Sequence, residues 1–137
     1  MVFALPTVLL AGKRMQPPKP RILLVDDDAR VRDMLRDVMA TFGYDVDVAG
    51  DGRTGVEKFR EQPIDVIVTD FMMPGITGLD LAAQVRVVDP AMPIILLTGL
   101  ATSAVLEEAR RLRVTVLSKP IGTLALRAAL DAALGLA

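Results

Sequence analysis

Ile22-Leu23-Leu24-Val25-Asp26-Asp27-Asp28 sets four apolar residues directly against three carboxylates, and three later stretches of the chain repeat the form. Val66–Thr69 runs into Asp70, Ile94–Leu97 into Thr98, and Val114–Ser118 into Lys119. A short apolar run with little alternation reads as a strand buried on both faces, as in a parallel sheet. In an open sheet of parallel strands, ligands sit at the carboxyl ends. If the four runs are strands of one sheet, their polar ends meet at one edge. That edge holds clustered carboxylates, one hydroxyl and one ammonium, a set suited to a divalent cation beside a phosphoryl group.

The sequence between the runs alternates with them. Val31, Met34, Leu35, Val38, Met39 and Phe42 recur at helical spacing, and Gly43 ends that helix. Tyr44–Val48 alternates polar and apolar residues, as an edge strand with one wet face does. Val56 and Phe59 mark a second helix, with Pro63 beyond its end and a strand over Asp65–Thr69. Leu81, Val85 and Val88 give a third, closed by Asp89-Pro90, and Pro93 opens the next strand where a missing N–H costs least. Val105, Ala109 and Leu112 form a weaker fourth stripe, and Leu126, Ala129, Leu130, Ala133 and Leu134 a clear fifth. Five strands alternating with five helices predict an α/β fold, a doubly wound five-stranded parallel sheet with strand order 2-1-3-4-5.

The chain has 137 residues and is 52% hydrophobic, enough for one substantial core and too little for two ordinary domains. With 16 basic and 17 acidic residues it carries no net field to draw in nucleic acid or an anionic membrane, and neither is expected as a partner. It has no cysteine, which excludes disulfides and thiolate metal sites and fits a cytoplasmic protein. It has no histidine, which excludes an imidazole base, an imidazole zinc site and a phosphohistidine of its own. A phosphoryl group has to come from elsewhere.

Residues 1–20 stand apart as an extension to a domain over 21–137. MVFALPTVLLAG is apolar for about a dozen residues, short of the roughly 20 a membrane span needs. Its positive charge, Lys13 and Arg14, follows the apolar run, whereas a secretory signal carries it in front. The plain expectation is an unstructured extension, with Met15 as the true start. A docking arm or short membrane-surface anchor is the alternative.

Each polar strand end has an ordinary reading as well as a chemical one. Asp26, Asp27 and Asp28 suit a helix N-terminus, where a carboxylate caps free N–H groups, and that describes Asp28 best. Asp26, Asp27 and Asp70, brought close, repel one another unless a proton or cation compensates, and the set fits magnesium better than calcium. Asp70 precedes Phe71-Met72-Met73-Pro74-Gly75, a turn that leaves its carboxylate at the end of a buried strand. A carboxylate there can act as nucleophile toward a phosphoryl group. Thr98 can donate to a phosphate oxygen and Lys119 can neutralise one. Alone, each is an unremarkable strand-end residue. Their order on successive runs is the informative feature.

With these residues in place, the chain resembles the receiver domain of two-component response regulators, in the single-domain, chemotaxis-regulator-like form of the flavodoxin-like fold. The resemblance spans Arg21 to Leu134. It is carried by Asp26-Asp27, by Asp70-Phe71-Met72-Met73-Pro74 with Gly78, by Thr98-Gly99 and by Lys119-Pro120. It implies that Asp70 accepts the phosphoryl group. Asp27, Asp70 and the Met72 carbonyl would bind Mg2+, or Mn2+ in its place, with Asp26 acting through water. Thr98 and Lys119 would contact the phosphoryl oxygens, and Lys119–Pro120 would be cis. The donor would be a phosphohistidine on a sensor histidine kinase or a histidine phosphotransfer protein. The output would be a downstream protein target met by the fourth helix, last strand and last helix, with a phosphorylation-dependent homodimer compatible with it. Such a chain is not an enzyme beyond catalysing its own phosphotransfer and slow dephosphorylation.

Two positions depart from the family pattern. Many receivers carry an aromatic residue three before the lysine, where this chain has Val116, and the residue after Lys-Pro, often Phe, is Ile121. Two rival readings remain. A haloacid-dehalogenase-like phosphatase also uses Asp-x-Asp, here Asp26 and Asp28, but needs a late acidic pair for which only Asp131 is available. A pseudo-receiver that only binds partners would not need the acid pair, acceptor, Thr and Lys together.

Overall fold

The computed structural model describes residues 8–10, 13–15 and 18–136. β1 (Val8–Leu10) and β2 (Lys13–Met15) pair antiparallel in a sheet of their own. A second, five-stranded sheet is built from β3 (Arg21–Val25), β4 (Asp45–Ala49), β5 (Val66–Asp70), β6 (Ile94–Thr98) and β7 (Thr115–Ser118). The helices are α1 (Ala29–Thr41), α2 (Gly52–Glu61), α3 (Gly78–Val88), α4 (Ser103–Arg111) and α5 (Thr123–Ala133). All pairings in the larger sheet are parallel, and its order, β4-β3-β5-β6-β7, is 2-1-3-4-5 counted within that sheet.

The central strands explain their own composition. Ile22, Leu24, Val66, Val68, Ile95 and Leu97 turn to one face, where Leu35 and Met39 of α1 and Leu126 and Leu130 of α5 cover them. Leu23, Val25, Ile67, Ile94 and Leu96 turn to the other, against α2, α3 and α4. Both faces are covered, so neither periodicity nor a polar face is visible in those strands. The edges differ: β4 and β7 are only partly buried, as the alternation over Tyr44–Val48 predicts for the first of them.

Helix starts follow local chemistry. Asp28 caps α1 by accepting from the N–H groups of Arg30 and Val31, and Asp51 caps α2 through Thr54. Thr77 and Asp80 form a reciprocal capping box on α3. The helix expected to end at Gly43 does so, with that glycine at φ 95°.

Two expectations shift. The edge strand begins at Asp45 rather than Tyr44, because Tyr44 is drawn into the core at 6% exposure and its N–H closes onto Met39 at the end of α1. The strand expected over Asp65–Thr69 runs Val66–Asp70. The β1–β2 pair lies within residues 1–20, the expected extension. Three-residue strands carry too little pattern to be read. Met1–Thr7 lie outside the described residues.

At the amino ends of the strands, Tyr44 donates its hydroxyl to Asp131 of α5 at 2.5 Å, and Phe42 stacks edge-on to Tyr44 under the Arg127 guanidinium. Burial, then the Asp131 hydrogen bond and charge, hold the Tyr44 phenol above its ordinary value of 10.0. A raised folded value means that this contribution to stability is complete below pH 10.0 and is lost as pH rises from there toward the folded value. Tyr44→Phe should therefore cost about 1.5–3 kcal/mol at neutral pH, the range for a hydrogen bond to a charged group. It should also flatten the alkaline fall in stability, read by urea unfolding across pH. Because Tyr44 is the one tyrosine and there is no tryptophan, phenolate absorbance reports this residue alone.

Candidate functional site

Register builds the site. Val25 of β3 pairs with Thr69 of β5, so Asp26 and Asp70 are the next residues on adjacent strands. Asp70 pairs with Leu97, which sets Thr98 one residue further out on β6, and Thr98 pairs with Ser118, which sets Lys119 one further again. From β5 to β7 is two strand spacings, roughly 10 Å. The long lysine stem closes that gap, and its Nζ lies 2.5 Å from Asp70 Oδ1.

Carboxylate oxygens of Asp26, Asp27 and Asp70 lie within 4.8 Å of one another. Asp26 and Asp70 are buried, at 2% and 6% exposure, while Asp27 is open to solvent. Asp26 is held at its N–H by Ala49 O at 3.1 Å, and its Oδ1 accepts from the Asp28 N–H at 2.9 Å. Its Oδ2 is buried with no hydrogen-bond partner. Burial, with the charges of Asp70 and Asp27, pushes the Asp26 carboxyl above its ordinary value, against the Asp28 N–H and Lys119. A buried acceptor without a donor, facing two more carboxylates, is the environment a hard cation with oxygen ligands relieves.

The other expected residues lie around this cluster. Thr98 is buried, and its Oγ1 accepts from the Leu100 N–H at 2.9 Å, which leaves the hydroxyl proton available for donation. Lys119 donates its N–H to Thr98 O at 2.9 Å, tying the last two strand ends together, and the Lys119–Pro120 bond is cis. Met72, the expected carbonyl ligand, stands two residues after Asp70 on the loop to α3 with its side chain 57% exposed. Asp28 serves as the α1 cap, and Asp131 binds Tyr44 at the opposite end of the sheet, away from the acids. Val116 packs part-buried on the α2, α3 and α4 side, and Ile121 on the α1 and α5 side.

Two supporting residues escape the sequence reading. Thr69 is fully buried and donates its hydroxyl to the main-chain carbonyl of Asp70 at 2.9 Å. Arg32 donates from Nη1 to the carbonyl of Asp26 at 2.8 Å. Neither has a sequence signal: Thr69 is one residue of a buried run, and Arg32 is one of several arginines on an amphipathic helix. Gly78 is legible as part of the motif, and its reason is steric. A Cβ there would strike the Asp70 carbonyl oxygen and come within 2.8 Å of Leu96 Cδ1.

The raised Asp26 carboxyl has a consequence for the cation-free protein. A folded value above the ordinary 3.8 means that ionised Asp26 opposes folding, and the penalty grows as pH rises from 3.8 through the folded value. Asp26→Asn should therefore stabilise the chelator-treated protein at neutral pH by on the order of 1 kcal/mol, the scale of one unsatisfied buried polar atom. The gain should shrink in acid, and thermal unfolding of both proteins across pH checks it.

Comparison with known proteins identifies the family. The family model for the response regulator receiver domain matches residues 22–131. The DNA-binding response regulator MtrA of Mycobacterium tuberculosis is 39% identical over 85 residues, 62% of this chain and 37% of that protein. The chain thus spans little more than a third of that relative's length. The chemotaxis protein CheY of Thermotoga maritima is 37% identical over 90 residues, 65% of this chain and 75% of that protein. Among solved structures, the response regulator protein TrrA of Thermotoga maritima, in complex with Mg(2+)-BeF, superposes with a TM-score of 0.77 at 28% identity, covering 83% of this chain and 98% of that one. Described residues include no helix long and apolar enough to cross a membrane. With the family model matching residues 22–131, most of its length, the chain belongs to the response regulator receiver domains of two-component systems.

Proposed function

We propose that this chain accepts a phosphoryl group on Asp70 from a phosphohistidine of a sensor histidine kinase or histidine phosphotransfer protein, and signals through a change of shape. One observation carries the reading: Asp70, at the end of a buried strand, sits between a carboxylate pair on one side and the Lys119 ammonium on the other. The unpartnered Asp26 Oδ2 supports a cation in the cluster, held by Asp26, Asp27, Asp70 and the Met72 carbonyl. Mg2+ is the proposed ion, with Mn2+ as substitute. When bound, it offsets the negative charge of the carboxylates and of an approaching phosphoryl group.

The chain's own residues do the rest. A carboxylate oxygen of Asp70 attacks phosphorus, the P–N bond to the donor imidazole breaks, and an acyl phosphate forms. Lys119 leaves its pairing with the carboxylate to neutralise a phosphoryl oxygen, and the Thr98 hydroxyl donates to another. Thr98 then draws on the Gly99–Thr102 loop through Leu100, whose N–H it holds, and so on α4. With Val116 in place of an aromatic ring, that loop and helix are the proposed moving parts. The partner would be a downstream protein, or a second copy of the chain, in the cytoplasm. Residues 21–137 form the proposed receiver unit, with residues 1–20 outside it, as the separate β1–β2 sheet supports.

The direct test is intact-mass labelling with a small acyl phosphate. One phosphoryl group should appear on the wild type with Mg2+ and be absent from Asp70→Asn and from chelator-treated protein. Labelling that persists in either would reject Asp70 as acceptor. A second expectation concerns lifetime. Water must attack in line to release the group, and polar side chains near its path speed this step by orienting it. Met72 and Leu100, two residues after the acceptor and the threonine, are apolar and 57% and 53% exposed, so neither can act as a base. Phosphate loss in Mg2+ should be slow and should quicken in Met72→Asn and Leu100→Glu. A wild type already as fast as those variants would refute it.

A further inference from the structure

We infer that Arg32 is a positioning residue of the acidic site: its guanidinium grips the main-chain carbonyl of Asp26, and through that peptide it sets the aim of the Asp26-Asp27 pair toward a divalent cation. The inference rests on the cation site proposed above and adds to it a residue outside the cluster. Arg32 stands in the first turns of α1, and its Nη1 donates to Asp26 O at 2.8 Å in a part-buried setting. The same nitrogen lies against the loop between β4 and α2, 3.4 Å from where a Cβ on Gly50 would be. The guanidinium thus ties the β3–α1 loop and lies across the neighbouring one.

A peptide unit is planar, so fixing the Asp26 carbonyl also fixes the Asp27 N–H and the directions in which both residues leave that plane. The remaining holds on Asp26 are its N–H to Ala49 and its Oδ1 from the Asp28 N–H. Neither of them acts on the carbonyl. Arg32 is therefore the side chain that keeps the acid pair from rotating about its own linkage. Pairing of its charge with an acid does not explain it, since Arg32 forms no ion pair among the described residues. A positive charge beside a cation site would oppose binding. Its contribution is geometric, of the kind by which outer partners orient metal ligands.

That difference in sign supplies the test. Mg2+ alone is titrated calorimetrically into the full chain as wild type, Arg32→Met and Arg32→Lys, with melting temperatures measured alongside. Arg32→Met keeps an apolar stem but has no donor, and should weaken Mg2+ binding roughly 10- to 100-fold, as loss of an orienting partner does. Arg32→Lys, which retains a donor on a long stem, should recover part of the loss. Charge alone predicts the opposite, tighter binding by Arg32→Met. A merely structural role predicts a lower melting temperature with the Mg2+ affinity unchanged. Either of those results overturns the inference. Should Arg32→Met fail to fold, Arg32→Gln, polar and compatible with a helix but too short to reach the carbonyl, is read in the same way. A wild type that binds no Mg2+ removes the proposed cation site and this role with it, whereas a wild type that binds beside an equally competent Arg32→Met overturns the role of Arg32 alone.

Discussion

Mutual repulsion among Asp26, Asp27 and Asp70 is the constraint on which the carboxyl edge of the sheet depends. Parallel register sets Asp26 and Asp70 side by side, and two of the three carboxylates are buried where water cannot screen them. Lys119 answers part of that charge from two strands away, the Asp28 N–H answers one oxygen of Asp26, and Asp26 Oδ2 is left with nothing. A stable core could not tolerate this unless other forces held it. Here the holding is done by a sheet covered on both faces, with fully buried strands meeting α1 and α5 on one side and α2, α3 and α4 on the other. The tension at the edge is local, and the packing beneath it is not disturbed by it.

Much of this was legible in the residues. Apolar runs ending in Asp, Asp, Thr and Lys in that order give the strands, their direction and the edge at which the site lies, because a parallel sheet needs runs buried on both faces and collects its polar ends together. Asp28 as a cap follows from its position before a helical stripe. Exact strand limits are less legible, since Tyr44 belongs by pattern to a strand and by packing to the corner formed with Phe42 and Asp131. The short β1–β2 pair is beyond pattern reading altogether. Arg32 and Thr69 stay hidden for a different reason. Each acts by gripping a main-chain carbonyl, and a carbonyl leaves no trace in the identity of the residue that owns it.

The site and the body of the domain are joined through main-chain contacts at every strand end. Thr69 holds the Asp70 carbonyl, Gly78 makes room for that carbonyl and binds Phe71 O, and Lys119 binds Thr98 O. Thr98 in turn holds the Leu100 N–H at the start of the loop to α4. A ligand that redirects the Thr98 hydroxyl therefore acts on the start of that loop without passing through an aromatic ring, which this chain lacks at Val116. In the proposed mechanism small shifts would be transmitted, because the strands behind the site are close-packed and cannot absorb them.

If the acids are to receive a phosphoryl group at all, cation and phosphoryl mimic must bind together, since the cation offsets the carboxylate charge that excludes the anion, the bound anion adds negative charge that holds the cation, and the coupling is reciprocal. Fluorine NMR of beryllofluoride added to the purified chain measures this most directly. The account predicts bound-fluoride resonances for the wild type with Mg2+, and their loss both in chelator and in Asp70→Asn. Equal binding without a divalent cation, or undiminished binding by Asp70→Asn, would contradict it.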